Sequence, residues 1–241
     1  GYYNNGKQLP SFAASTINAS ITSVTFSIYS RHQDDLTKLN WMVRHSIIIS
    51  NFIIFPMMGI LALIAEPLIT ILLTEKWLPS VIYLQLFCIA LGLHHQHNIG
   101  FQAISAIGRS DIFLKYQLIK KSIGILMLIL TIKFGLIYIV LGQVLAAIIS
   151  VLVSIYPYKK FLNYSISDQL KDFCPYIFIT LLMYGSISPI TFQKLGMTGT
   201  FLSQIFLGIL LYIFLAFTFK LKGLGYSQEV FKKYVFKRFS S

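Results

Sequence analysis

The lysines and arginines of this chain fall between its apolar runs, and their numbers alternate from one connection to the next. Seven stretches read as membrane spans, at about 11–30, 46–65, 80–106, 118–133, 136–156, 174–193 and 200–219. The ends and connections hold, in order, Lys7, then Arg31, Lys38 and Arg44, then Lys76, then Arg109, Lys115, Lys120 and Lys121. Lys133 follows, then Lys159, Lys160 and Lys171, then Lys194, and six more from Lys220 onward. One, three, one, four, one, three, one and six account for all 20 basic residues. Cytoplasmic loops of multi-spanning proteins collect lysine and arginine. The alternation therefore predicts Gly1 outside, the tail in the cytoplasm, and no basic residue in the middle of a span.

Composition agrees. The chain is 56% hydrophobic and only 12% charged, with a mean hydropathy of +0.71, whereas a soluble domain is roughly one quarter charged. The net charge of +12 is spread over the connections rather than gathered on one face, which argues against nucleic acid as a partner. Cys88 and Cys174 offer neither a disulfide framework nor metal-ligand spacing, and read as small packing residues. Without an initiator Met, Gly1 is expected to follow a missing amino-terminal part.

The carboxylates sort in the same way. Asp34, Asp35, Asp111, Asp168, Asp172 and Glu229 fall in the basic connections, so no carboxylate is expected within the membrane. Glu66 and Glu75 flank "PLITILLT", which is too short to span and reads as an interfacial or re-entrant helix anchored by Trp77. In the tail, Phe231, Tyr234, Val235 and Phe239 can share one helical face, so residues 220–241 read either as a solvated basic tail or as a helix on an anionic leaflet.

Two of the spans carry polar stripes. In "SFAASTINASITSVTFSIYS", Ser11, Ser15, Asn18, Thr22 and Thr25 recur at three- and four-residue spacing, opposite Ala13, Ile17, Ile21, Val24 and Ile28. In "LGLHHQHNIGFQ", the midpoint of the third span, His94, Asn98, Gln102 and Ser105 share a face. Gly92 and Gly100 flank this cluster and suggest a local break, a device by which transporters line midplane sites. Three readings of the histidines compete. His94 and His97 have i, i+3 spacing, but a metal site lacks further ligands here, and no metal or cofactor is expected. A proton relay lacks a carboxylate partner, although imidazole titrates near neutrality. The third reading is a hydrogen-bonding cavity wall or helix–helix contacts satisfied within the bundle, and the wall is favoured over pure packing because ionisable groups in a membrane are expensive to keep there; whether the histidines also carry a proton stays open. Pro56 and Pro189 add possible kinks.

Several blocks outside the spans resemble one family. "GYYNNGKQLP", "SRHQDDLTKLNWMVRHS", "AEPLITILLTEKWLP" and "AIGRSDIFLKYQLIKK" look like corresponding blocks of bacterial oligosaccharide flippases, over about residues 1–160. These are the polysaccharide and lipopolysaccharide transporters of the multidrug/oligosaccharidyl-lipid/polysaccharide exporter superfamily. "FSIYSR" departs from a proline-containing pattern at the end of the first span.

The resemblance implies an all-α integral membrane protein built from two six-helix lobes, often with two added carboxy-terminal helices. Residues 1–10 would be an external connection after a missing helix, 11–156 five spans of the second lobe, 157–219 the two additional spans and 220–241 a cytoplasmic tail. It implies no enzyme. The expected task is to move a polyprenyl-pyrophosphate-linked oligosaccharide from the inner to the outer leaflet of the bacterial cytoplasmic membrane, beside a polysaccharide polymerase machinery. Arg31, Arg44 and Arg109 are candidates to attract the pyrophosphate, or else ordinary topology determinants. An ion-coupled drug exporter, a seven-helix receptor and a membrane glycosyltransferase are the alternatives. The first lacks a coupling carboxylate in this portion, the second a lysine in the last span for retinal, and the third external connections long enough for a catalytic domain.

Overall fold

A computed structural model describes residues 1–189 and 196–226, with the side chains of residues 20–24, 26–27 and 95–97 left aside. The described residues form helices and turns only. In order they are α1 (Tyr2–Ser30), α2 (Leu36–Leu63), α3 (Ala65–Leu73), α4 (Val81–Ala106), α5 (Ser110–Thr131), α6 (Leu136–Leu162), α7 (Ile166–Lys171), α8 (Cys174–Ile187) and α9 (Gly196–Thr218). A 3-10 turn, Glu75–Ser80, joins α3 to α4.

Seven of these helices overlap the seven expected stretches. Four are long and apolar enough to cross a membrane: α2, the run Glu75–Ala106 that contains α4, α6 and α9. The other three fall short for local reasons. The Ser, Thr and Asn stripe dilutes α1, Lys115, Lys120 and Lys121 charge α5, and α8 has 14 residues.

Local chemistry sets the helix boundaries. The "QDD" block is a cap, since the Asp35 carboxylate accepts the Lys38 N–H at 2.9 Å and starts α2. The "GRSD" block is a turn. Gly108 takes φ +81°, the Gly108 N–H donates to the Ser105 carbonyl and the Arg109 N–H to the Ile104 carbonyl. That is a Schellman end for α4, where glycine relieves the left-handed backbone.

Several expectations change. Residues 1–10, expected as a connection, are helical from Tyr2, because Gly6 lets α1 close onto the start of α4. A Cβ there would lie 2.7 Å from Tyr83 Cβ. The connection expected over 107–121 is helix from Ser110. Gly92 and Gly100 do not break α4, which is continuous; Gly100 instead admits the Tyr158 ring of α6. Pro189 does not kink α8 but lies two residues beyond its last residue, Ile187, as the bias against helix before proline requires. Lys194 and the amphipathic face at 231–239 lie outside the described residues.

α4 is the central helix, packed by α1, α2, α5 and α6, while α8 and α9 lie against α2. One core, around Leu39, Val43, Phe101, Tyr116 and Tyr158, closes one end of the bundle. Another, around Ala14, Ile54, Met58, Ile69 and Leu84, closes the other. A third, with Phe55, Tyr176, Met183 and Tyr212, joins α2 to α8 and α9. Much of the outward surface is apolar. On α5, Leu118, Ile125 and Ile129 are 57%, 59% and 62% exposed, as lipid-facing residues are.

The connections sort by end, as the charge alternation requires. At the basic end, Asn40 donates to the Asn163 carbonyl at 3.3 Å, Arg44 reaches Asp168 and Asp172, and Lys222 reaches Asp172. At the other end, Tyr2 meets Trp77 edge-on with ring centres 5.6 Å apart, and Gln143 donates to the Tyr3 hydroxyl at 2.8 Å. "PLITILLT" forms α3 at this second end and buries Ala65 and Ile69.

Candidate functional site

The two polar stripes belong to helices that pack on each other, α1 and α4. At their basic end the stripes meet, where the Thr25 hydroxyl donates to Gln102 Oε1 at 2.9 Å and Thr25 is only 8% exposed. Elsewhere the stripe residues are less covered. His94, Asn98 and Ser105 on α4 are half-buried, as is Asn18 on α1, while Ser15 is exposed. The Ser15 hydroxyl donates to the Phe12 carbonyl of its own helix at 3.0 Å. The opposing face of α1 behaves as its pattern predicts, with Ala13, Ala14 and Ile17 packed against Ile54, Met58 and Cys88. The side chains of Thr22, His95 and His97 lie outside the described residues.

α5 adds one group that sequence reasoning misplaced. Lys120, assigned above to a connection, lies midway along α5, half-buried and in electrostatic contact with His94. A lysine midway along a helix flanked by apolar residues was the available signal, obscured by the assumption that α5 starts later. The polar face of α4 thus meets α1 through Gln102 and α5 through His94. Such groups exchange hydrogen bonds with a passing polar solute without changing their own covalent state.

The three arginines differ in how firmly they are held. Arg31 is exposed at the carboxy-terminal end of α1. Arg109 forks onto Asp111 at 3.0 and 3.2 Å with both side chains 48% exposed, an arrangement worth little in solvent. Arg44 is clamped. Its Nε donates to Asp172, and its Nη2 donates to Asp168 at 3.2 Å. The Asp172 side chain is fully buried and also receives Lys222 at 3.1 Å and the Tyr164 hydroxyl at 3.2 Å. Donation from the Ser165 hydroxyl, then the charges of Arg44 and Lys171, holds the Asp168 carboxyl below the usual carboxylate range. This cluster ties α2 to α7, to the start of α8 and to the segment after α9. Arg44 and Lys222 lie 128 and 50 positions from Asp172, so the chain's pattern alone could not pair them.

Comparison with known proteins bears on what these groups serve. Residues 1–82 match the family described as polysaccharide biosynthesis protein. An uncharacterized membrane protein in the cps region of Klebsiella pneumoniae is 26% identical over 241 residues, which is 98% of this chain and 50% of that protein. The lipid II flippase MurJ, in its inward closed conformation, superposes with a TM-score of 0.70 and 21% identity. It does so over 90% of this chain and 46% of that one. Over the covered residues this chain shares the fold of that protein. The resemblance read from the sequence is thereby borne out, and the chain is an integral membrane protein. It spans about half the length of both proteins. Within this fold, the blocks that suggested the family are structural. "QDD" caps α2, "GRSD" turns α4 into α5, and "EKWLP" forms the 3-10 turn whose Trp77 meets Tyr2.

Proposed function

We propose that this chain is one lobe of a transporter that moves a polyprenyl-pyrophosphate-linked oligosaccharide from the inner to the outer leaflet, for polysaccharide or lipopolysaccharide synthesis. The observation that carries the reading is the facing pair of polar stripes on α1 and α4, joined at Thr25 and Gln102 within an otherwise apolar bundle. Moving a sugar through hydrocarbon strands its hydroxyls, at several kcal/mol for each unpaired group. Ser15, Asn18, Thr22, His94, Asn98, Gln102 and Ser105 offer replacement partners, and the polyprenyl tail stays in lipid throughout. The family match and the shared flippase fold support this assignment.

In this reading all seven expected stretches span, the basic connections face the cytoplasm, and a second lobe completes the cavity. Arg31 and Arg109 are the better pyrophosphate contacts. A phosphate can replace an exposed partner such as Asp111 cheaply, whereas freeing Arg44 would leave the buried Asp172 carboxylate to Lys222 and Tyr164 alone. Passage of the product to a polymerase machinery follows from the same reading.

The orientation has a direct check. Cys88 is buried and Cys174, at the basic end, is exposed. A membrane-impermeant maleimide is expected to label Cys174 in inside-out vesicles and not in intact cells; labelling in intact cells would invert the topology. For function, the full-length protein is expected to restore surface glycan to a flippase-null strain. A variant with His94, Asn98 and Gln102 all changed to Leu is expected to reach the membrane with normal helix content and fail to complement. Normal complementation by that variant would remove the cavity assignment.

A further inference from the structure

A pocket of about 260 Å³ lies at the basic end, between the start of α8 and the end of α9. Lys171, Lys220 and Lys222 line it together with Asp172 and the rings of Tyr176, Phe178 and Phe219. Asp172 is already shared by Arg44 and Lys222, so the pocket carries net positive charge. Phe178 and Phe219 stand edge to face with centres 6.2 Å apart, 54% and 52% exposed. Apolar side chains continue away from them along the helices, with Leu181 and Phe217 62% and 73% exposed. Ammonium groups beside open aromatic rings at a helix end are the chemistry of the headgroup region.

The backbone supplies a second, independent observation. α9 ends with the Lys220 N–H donating to the Phe217 carbonyl and the Leu221 N–H to the Ala216 carbonyl. This is the Schellman pattern that also ends α4. There the left-handed position is Gly108, at φ +81°, whereas here it is Lys220, at φ +49°. Glycine adopts that conformation without strain and lysine does not. The residue at this strained position is thus one that lines the basic pocket.

We propose that this pocket binds the phosphate headgroup of an anionic phospholipid from the surrounding leaflet. Lys171 and Lys220 contact the phosphate, and the acyl chains run along Phe178, Phe219 and the apolar faces of α8 and α9. A free inorganic anion would use the lysines but not the aromatic and apolar lane. The site does not depend on what the protein transports, so its failure and the failure of the flippase reading are separate events.

The test extracts the purified full-length protein from bilayers of equal phosphatidylglycerol and phosphatidylcholine and quantifies the lipid that stays bound. Two surface lysines predict a preference for phosphatidylglycerol on the order of tenfold. Lys220→Gly removes the ammonium and also the backbone strain. It is therefore expected to leave thermal stability unchanged or raised while lowering the preference severalfold, and combination with Lys171→Gln is expected to abolish it. Equal retention of the two lipids, or an unchanged preference in the double variant, would overturn the proposal. So would displacement of the bound lipid by inorganic phosphate, which assigns the site to a free anion. Retention of polyprenyl pyrophosphate in place of phosphatidylglycerol would equally overturn it, by assigning the pocket to the transported lipid.

Discussion

Asp172→Ala is expected to cost about 3 kcal/mol of stability, near the lower bound for breaking a buried ion pair. The carboxylate is fully buried and takes Arg44, Lys222 and the Tyr164 hydroxyl. Losing it strands Lys222 and leaves Arg44 with Asp168 alone. The lower bound applies because the Arg44 and Lys222 side chains are 30% and 52% exposed and can partly rehydrate. Replacing Arg44 by Met in an Asp172→Leu background is expected to recover most of the loss, since an apolar pair of similar volume often matches a buried ion pair. Arg109→Ala is the control, expected to change stability by about 0.5 kcal/mol or less because its partner is exposed. Thermal unfolding in detergent reads all of these. An Asp172→Ala midpoint equal to that of Arg109→Ala would show that the junction does not hold α8 and α9 to α2.

Gly100→Ala is expected to cost about 2 kcal/mol or more, the scale of overpacking a filled core. An added Cβ would lie 2.3 Å from Tyr158 Cζ and 2.6 Å from its hydroxyl oxygen. The ring cannot swing away, because Tyr158 is 1% exposed and packs 5.4 Å from Phe101, which stacks on Tyr116 at 4.0 Å. Either α4 and α6 separate or the aromatic cluster rearranges. Because α4 also carries His94, Asn98 and Gln102, separation would displace the polar face. Gly100→Ala is thus expected to lower glycan export as well as stability, and adding Tyr158→Leu to restore part of both. A fully stable Gly100→Ala variant would contradict this close approach.

What the sequence reveals here is set by how local each feature is. Apolar runs and the alternation of basic residues are one-dimensional signals, and they locate seven of the helices and sort the connections by end. Caps are local too: Asp35 and Gly108 act on groups within a few residues of themselves, although the apolar runs do not mark them. The helical face shared by His94, Asn98 and Gln102 follows from spacing alone, and its pairing with α1 comes from a single contact, Thr25 with Gln102. Other features depend on residues distant in the chain. Nothing near Gly100 announces that Tyr158 will fill its missing side chain, so the sequence suggests a local break there instead. Nothing near Asp172 announces Arg44, 128 positions away. Lys120 was misplaced because hydropathy marks where charge becomes sparse, while α5 starts earlier, at the Gly108 turn.

The central claim is leaflet transfer, and the direct measurement is made on the full-length protein in proteoliposomes. A fluorescently labelled polyprenyl-pyrophosphate oligosaccharide is placed in one leaflet, and its arrival in the other is followed with a membrane-impermeant quencher or lectin. The account predicts transfer well above that of protein-free liposomes. It also predicts loss of transfer when His94, Asn98 and Gln102 are all leucine. A folded wild-type protein that transfers no more than protein-free liposomes, or a triple variant that transfers at the wild-type rate, would contradict it.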